Sequence, residues 1–427
     1  ELLFNSVCIN ARLIQSLLME PRIGIVYSNR LKELACLSPK YGHRFSLVMA
    51  LIHAYKMTEH LVRIPPVNLT PDAELKYLSS FHSHDFLESL RLLDGYYADD
   101  ADPDIPDDVM DSLEEYGLAY DCQGFPGVYD YALSAVRATL AAVDALLKRK
   151  CQVAINWAGG WHHGKRAEAS GFCYLNDVVI GLNYLLSSAA FQDSRKRVIY
   201  LDFDLHHGDG VEEAFAYSSR VVTFSVHHAS PGFFPGTGDI TPDSSGFFTG
   251  ARGGRYSCFN LPLAEGTGDE TWLSTVKPIL SALHASLQPS FIVVQCGADG
   301  LTSDPHRVFN LSVDQNCAHA GAVRQVLSWG LPTLLLGGGG YHFPDTARLW
   351  ALLTSITLSA VRGNIYELPD DIPDHPELIS YGPDYSLSVT SSMCQDKNSE
   401  AVLKDHVDRL LKQLKDFCDT NDLTFAC

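Results

Sequence analysis

The chain has 427 residues, 46% of them hydrophobic, and a formal net charge of -19. Apolar residues spread along the whole length exclude wholesale disorder, and no apolar run reaches the roughly 18 to 20 residues that span a bilayer. The acidic balance argues against direct nucleic-acid binding, which needs a basic face; it would attract a cationic partner or serve solubility alone.

Residues 1–20 lack the basic start and the small-residue cleavage site of a signal peptide. They read as an N-terminal extension without an assigned role, ahead of a single domain over residues 21–427. Six near-continuously apolar runs come next: 23–28 (IGIVYS), 152–157 (QVAINW), 197–204 (RVIYLDFD), 220–226 (RVVTFSV), 291–299 (FIVVQCGAD) and 332–341 (PTLLLGGGGY). Such runs mark parallel strands covered on both faces. Between them lie helical patterns at 130–150 and 272–287, and a closing amphipathic helix at 400–417 with Val402, Leu403, Val407, Leu410, Leu411, Leu414 and Phe417 on its apolar stripe. Residues 92–116, acidic and Pro-containing, read as a surface loop, and residues 235–254, rich in Gly, Ser, Thr and Asp, as another. Alternating strands and helices predict an α/β, doubly wound parallel sheet, with the site outside the carboxyl ends of the strands. The eleven cysteines are dispersed and form no CxxC pair. They read as free thiols in a reducing compartment, most of them small buried apolar side chains.

Four of the strand-like runs end in titratable residues. After 152–157 come His162 and His163; after 197–201 come Asp202, Asp204, His206, His207 and Asp209; the run at 291 ends in Asp299; and the last ends in Tyr341. Any one of these alone is most simply a turn residue or a hydrogen-bonded structural group. Their convergence on one face of a sheet points to a site. In an extended segment, positions i and i+2 share a face, so Asp204 and His206 can face one ion and Asp299 can complete the set. Three protein ligands leave a position open, as catalytic zinc requires. Iron(II) also accepts N/O donors. Two carboxylates cancel the charge of a divalent ion, which weakens its hold on the pKa of water, so a separate general base is needed. The pair His162–His163 can supply it, with Asp202 and Asp209 fixing tautomers through the second ring nitrogens. The tetraglycine before Tyr341 fails the GxGxxG pattern and reads as close backbone approach to a cavity. Tyr341 would then offer its hydroxyl to an oxyanion. His207 is left without a role.

The stretches GGWHHGKRAEASGFCYLND, YLDFDLHHGDGVEEAF, PGFFPGTGD, QCGAD and LGGGGYHFPDTARLW resemble the class I zinc-dependent histone deacetylases; SPGFFPGTGD resembles their type-8 subgroup, and VVTFSVHHASPGFFPGTG its flatworm members. The resemblance runs from about residue 22 to YGPDY at 381–385. It implies a single-domain arginase/deacetylase-type fold, with residues 21–427 as the catalytic domain. It implies hydrolysis of N-ε-acetyl-lysine in histone tails and other proteins to lysine and acetate. Metal-activated water would attack, with His162, His163, Asp202 and Asp209 as the acid–base set, Tyr341 as the carbonyl-polarising group, and Asp204, His206 and Asp299 as zinc ligands.

The resemblance further implies potassium at Asp202, Asp204, His206, Ser225 and Val226 (inner) and at Phe215, Ser218, Val221 and Ser257 (outer). Gly171, Phe172, Phe234, His306, Lys40 and Tyr41 would line the substrate tunnel and its rim, Asp121 would hold the substrate backbone, and Arg44, Trp161, Gly339 and Gly340 would shape an internal cavity. Zinc-chelating hydroxamates are the expected inhibitors. Chromatin and transcription regulation in nucleus and cytoplasm is the expected setting, without membrane or direct nucleic-acid contact. The chain departs from the family at Gly164, where Ala is usual, and at His306, where Met is common. Two rival readings are a metallohydrolase of acetylpolyamines, which the tunnel aromatics and Asp121 disfavour, and a non-catalytic acetyl-lysine scaffold, which the complete residue set disfavours.

Overall fold

A computed structural model describes residues 22–98, 101–239, 249–363 and 366–426. The extension at residues 1–20 and residues 240–248 of the 235–254 loop lie outside these. Among the described residues, eight strands form one sheet: β1 Ile23–Val26, β2 Val62–Ile64, β3 Val153–Asn156, β4 Val198–Asp202, β5 Val221–His228, β6 Cys258–Leu263, β7 Phe291–Gln295 and β8 Thr333–Leu336. Their order is β2-β1-β3-β8-β7-β4-β5-β6, and every pairing is parallel. All residues of β3, β4, β7 and β8 are buried. That explains their unbroken apolar sequence: helices cover both faces, so no residue of these strands can be polar for solvent's sake.

The strands are in register at their carboxyl ends. Asn156 pairs with Leu336, Leu336 with Gln295, Gln295 with Asp202 and Asp202 with Ser225. The central strands therefore end level, and the residues after them emerge side by side. The fold is the arginase/deacetylase-type α/β architecture.

The flanking helices start where polar caps allow. Ser28, Thr70, Ser83 and Asn176 each accept a backbone N–H of their helix's first turn. The helix Val128–Leu147 buries nearly its whole length, so its Ala-rich sequence suits close packing. One sequence reading of the periphery is corrected, and two strands were missed. Residues 92–116 are not one loop: Leu92 to Tyr96 end the helix His84–Tyr96, and Asp107–Glu115 is a helix of its own, with Asp107 and Asp108 in its first turn and Leu113 buried. Acidic side chains there favour the positive helix start. Strands β2 and β6 escaped notice because both are edges: β2 has three residues, and β6 contains Pro262, which only an edge or bulge tolerates.

The helix Glu400–Thr420 buries Leu410, Leu414 and Phe417, whereas Val402 is exposed. Its Gln413 Nε2 donates to Cys258 O at 2.6 Å and Tyr256 O at 3.2 Å, closing the β6 edge against further pairing. The described cysteines are free, and all but Cys36 and Cys394 are buried; Cys8 and Cys427 lie outside the described residues. Among the described residues, no helix is long and apolar enough to cross a membrane.

Candidate active site

The four central strands deliver the site. β4 ends at Asp202, and its continuation is a run of short turns in which each carboxylate takes the N–H two residues on. Asp202 Oδ1 accepts from Asp204 N at 3.2 Å, and Asp204 Oδ1 from His206 N at 3.1 Å. These turns aim Asp204 and His206 the same way. Asp299, following β7, accepts from Leu205 N at 2.9 Å. His206 Nδ1 lies 2.9 Å from Asp299 Oδ2 and 3.3 Å from Asp204 Oδ1. Donor atoms of Asp204, His206 and Asp299 all lie within 4.8 Å of one another, and all three residues are buried. The other oxygen of Asp204 accepts from Gln295 Nε2 and Gly339 N, each at 2.8 Å.

Two ionised carboxylates this close repel. Burial, and then the charge of Asp204, pushes Asp299 above the usual carboxylate range. A cation between them would remove that repulsion, so the donor set fits a divalent ion of zinc's ligand preference. At Gly339, an added Cβ would stand 2.3 Å from Asp299 Oδ2 and 2.9 Å from Asp204 Oδ2. Gly339→Ala should therefore lose bound metal and activity while keeping its far-UV circular dichroism. Wild-type metal content would show that the backbone there can yield.

His162 and His163 leave β3 on a loop. His162 Nδ1 donates to Asp202 Oδ2 at 2.7 Å, an oxygen that also accepts from Tyr200 OH at 2.6 Å. His163 Nδ1 donates to Asp209 Oδ1 at 2.8 Å. The two rings are 3.9 Å apart, and their environments push them in opposite directions. Burial lowers His162, but Asp202 and Asp204 outweigh it and hold the imidazole up at about 9; burial, then the charge of His162, takes His163 down to about 4. Double protonation is disfavoured.

Tyr341 follows Gly337–Gly340, in which Gly338 and Gly340 have φ of 145° and 130°. Its backbone N–H donates to Asp304 Oδ2 at 2.8 Å. Burial and the carboxylates of Asp299 and Asp204 raise its phenol well above the ordinary value, so the hydroxyl keeps its proton as a donor. His162, His163, Asp204, Gly339 and Tyr341 share one cavity of about 10 Å³, the room of a single water.

The wall is aromatic. Phe172, at φ 64°, has its ring 5.9 Å from that of Tyr341, and Phe234 stands edge-on to His163 at 4.9 Å. A side chain at Gly171 would strike His163, since a Cβ there comes within 2.5 Å of the ring. Tyr41 stacks on Tyr341 at 5.7 Å and donates to its hydroxyl at 3.4 Å. Lys40 Nζ sits 4.4 Å from the Phe172 ring centre and 4.9 Å from that of Tyr341. Asp121 is exposed at the rim and accepts from Gly171 N at 2.7 Å, beside an open pocket of about 340 Å³ that includes Lys40, Asp121 and Phe172.

Arg44 is buried, donates to Gly340 O at 2.8 Å and lies over the Tyr41 ring at 4.3 Å. With Trp161 it lines a cavity of about 20 Å³; Gly339 instead lines the cavity of the histidine pair, and Gly340 reaches Arg44 through its carbonyl. Ser225 pairs with Asp202 across β4–β5, and its neighbour Val226 is buried. Phe215 O accepts from Ser218 N in the turn before Val221, and Thr223 N donates to Ser257 O nearby in β5.

Several contributors went unnoticed in the sequence. Asp304, wholly buried, accepts from His306 Nδ1 at 2.7 Å as well as from Tyr341 N, tying the rim histidine to the Tyr341 backbone. Phe233 stacks on His206 at 5.1 Å with only 3° between planes; the doubled Phe of PGFFPG was its only signal. His207 gains a place: Nδ1 pairs with Thr237 Oγ1 at 2.8 Å and Nε2 with Glu212 Oε2 at 3.2 Å, pinning the loop that carries Phe233 and Phe234.

His82 lies behind the site and accepts from Asn176 N at 3.1 Å through Nε2. Burial lowers it from 6.5 to about 3, so between those values the unfolded chain binds a proton that the folded chain refuses. Stability is present above pH 6.5 and falls as pH drops towards 3. His82→Gln removes that sensitivity. Urea unfolding at pH 7 and pH 5 should show the wild type losing about 2 kcal/mol more than the variant. Equal losses would refute it.

Comparison with known proteins agrees with this geometry. The histone deacetylase domain family matches residues 38–357. Histone deacetylase 8 of Xenopus tropicalis is 39% identical over 376 residues, 88% of this chain and 93% of that protein. Histone deacetylase 8 of Danio rerio is 39% identical, with 88% and 89% covered, and histone deacetylase 1 of Homo sapiens 34% identical, with 88% and 71% covered. The chain belongs to the histone deacetylase family, as a class I member of type-8 character, and is a protein lysine deacetylase.

Proposed function

We propose that the protein hydrolyses N-ε-acetyl-lysine in histone tails and other proteins, with zinc held by Asp204, His206 and Asp299. What carries the reading is convergence: a buried Asp–His–Asp set, two Asp-paired histidines and a protonated phenol meet at the ends of four adjacent strands. Zinc, when bound, supplies a positive charge that polarises the acetyl carbonyl and makes water beside it more acidic.

The residues do the rest. Phe172 and Phe234 flank the aliphatic stem of the lysine, and Asp121 orients the peptide at the rim. His163, its Nδ1–H committed to Asp209, presents Nε2 to take the proton of the attacking water and returns it to the lysine nitrogen as the C–N bond breaks. His162, fixed by Asp202, stabilises charge beside it. The Tyr341 hydroxyl donates to the oxygen that becomes negative. Potassium is assigned to the oxygen-rich turns of Asp202, Asp204, His206, Ser225 and Val226, and of Phe215, Ser218, Val221 and Ser257. Hydroxamates would engage the zinc, and iron(II) could replace it. Nucleus and cytoplasm are the proposed setting, in chromatin regulation.

The test is turnover of an acetyl-lysine peptide and of acetylputrescine, with and without chelator and zinc add-back. Chelator-sensitive peptide hydrolysis is expected. Faster acetylputrescine turnover would move the substrate to polyamines, and absence of metal-dependent hydrolysis would overturn the catalytic reading.

A further inference from the structure

We infer that Asn176 and Asp177 are positioning residues that clamp the backbone of the loop carrying His162 and His163. The inference rests on the acid–base reading of that pair. Both side chains are wholly buried. Asn176 opens the helix Asp177–Ser187, its Oδ1 accepting from Val179 N at 2.9 Å. Capping needs only that acceptor. The amide nitrogen does something else: Nδ2 donates to His162 O at 3.3 Å and to Gly164 O at 2.8 Å, the carbonyls on either side of His163.

Asp177 grips the same loop through the opposite chemistry. Its Oδ1 accepts from Gly160 N at 3.1 Å and Trp161 N at 2.8 Å, and its Oδ2 from Gly160 N at 3.1 Å and Thr139 Oγ1 at 2.5 Å. A donor and an acceptor, adjacent in sequence, thus hold backbone groups of Gly160, Trp161, His162 and Gly164. The loop belongs to no helix or strand, so its buried amides and carbonyls have few other partners. The anchor is firm on its far side as well, since Thr139 sits on the long helix Val128–Leu147 and also accepts from Asn156 Nδ2 at 2.9 Å. Glycine is required where the carboxylate approaches: a Cβ at Gly159 would stand 2.4 Å from Asp177 Oδ2, and Gly160 has φ 99°.

Asp202 and Asp209 fix the rotation of the imidazoles, but not where their backbone stands. The Asn176–Asp177 pair fixes that. A shift of about 1 Å in a catalytic group costs on the order of a hundredfold in rate.

Asn176→Ser separates the two roles of the asparagine. It keeps a cap acceptor and deletes both donors to the loop. The expected result is kcat on an acetyl-lysine peptide lowered about tenfold to a hundredfold. KM should stay within about threefold, with metal content and melting temperature close to wild type. Asp177→Asn, of the same shape, turns a donor towards the loop N–H groups and should lower kcat in the same way. His163→Ala is measured alongside. Wild-type kcat in both clamp variants, with His163→Ala inactive, overturns the clamp and leaves the acid–base reading. An active His163→Ala overturns that reading itself. A fall in kcat that merely tracks lost metal or lost folded protein reduces the pair to a structural role and also overturns the clamp.

Discussion

Asp299→Ala is expected to leave a folded protein that no longer retains its metal. The carboxylate stands in the narrowest part of the donor set, 2.9 Å from His206 Nδ1, with its other oxygen on Leu205 N. Removing it would take away one of the three proposed protein ligands and one of the two negative charges that would balance a divalent ion. It also orphans the buried N–H of Leu205, at a cost of about 1–3 kcal/mol. Metal analysis after dialysis should fall from one ion per chain to a small fraction, and hydrolysis should fall at least about a thousandfold, in line with the loss of a Lewis acid. Full stoichiometry would remove Asp299 from the ligand set. His207→Ala is the contrasting variant. Both of its ring nitrogens are committed to Thr237 and Glu212, so its metal content should stay near wild type. If His207→Ala loses metal and His206→Ala keeps it, the assignment along LDFDLHHGDG is wrong.

Tyr341→Phe should bind acetyl-lysine peptide with nearly unchanged KM and lose about a hundredfold to a thousandfold in kcat, the usual effect of removing one oxyanion donor. The ring stays, so its stacking on Tyr41 and its edge against Phe172 persist. Only the hydroxyl goes. Because burial and the carboxylates of Asp299 and Asp204 hold the phenol protonated, the lost group is a hydrogen-bond donor and not a base. The kcat loss should therefore be nearly constant across neutral pH. Turnover near wild type would exclude Tyr341 from the oxyanion, and a loss confined to KM would make it a wall residue.

The parts of this site that could be read in advance share one property: they sit immediately after an apolar strand. The parallel sheet forces β3, β4, β7 and β8 into uninterrupted apolar runs, and a titratable residue just beyond such a run stands out. Asp204, His206, Asp299 and Tyr341 were legible for that reason. Asp304 and the Asn176–Asp177 pair were not, because they act on backbone N–H and C=O groups, which nearly every residue carries and no sequence pattern marks. Phe233 was hidden beside Phe234, since two adjacent rings cannot be assigned to opposite faces until the loop is folded. At the periphery, β2 was too short and β6 too Pro-marked to register as strands. The helix Asp107–Glu115 was masked by its own acidity, which favours a helix start as readily as a solvated loop.

The strand order also governs how the enzyme comes into being. β3 and β4 leave the ribosome early, yet they never pair with each other; β8 and β7, made later, lie between them. Leu205 and its partner Asp299 are 94 positions apart in the chain. Contacts of such separation form late, after loop-closure entropy has been overcome. A nascent chain that has completed β4 holds two apolar strands with open edges, the kind of surface that chaperones shield. With Asp299 as a proposed ligand, loading with metal would wait until β7 docks against β4, and a metal-loaded molecule would be one that has finished its central sheet.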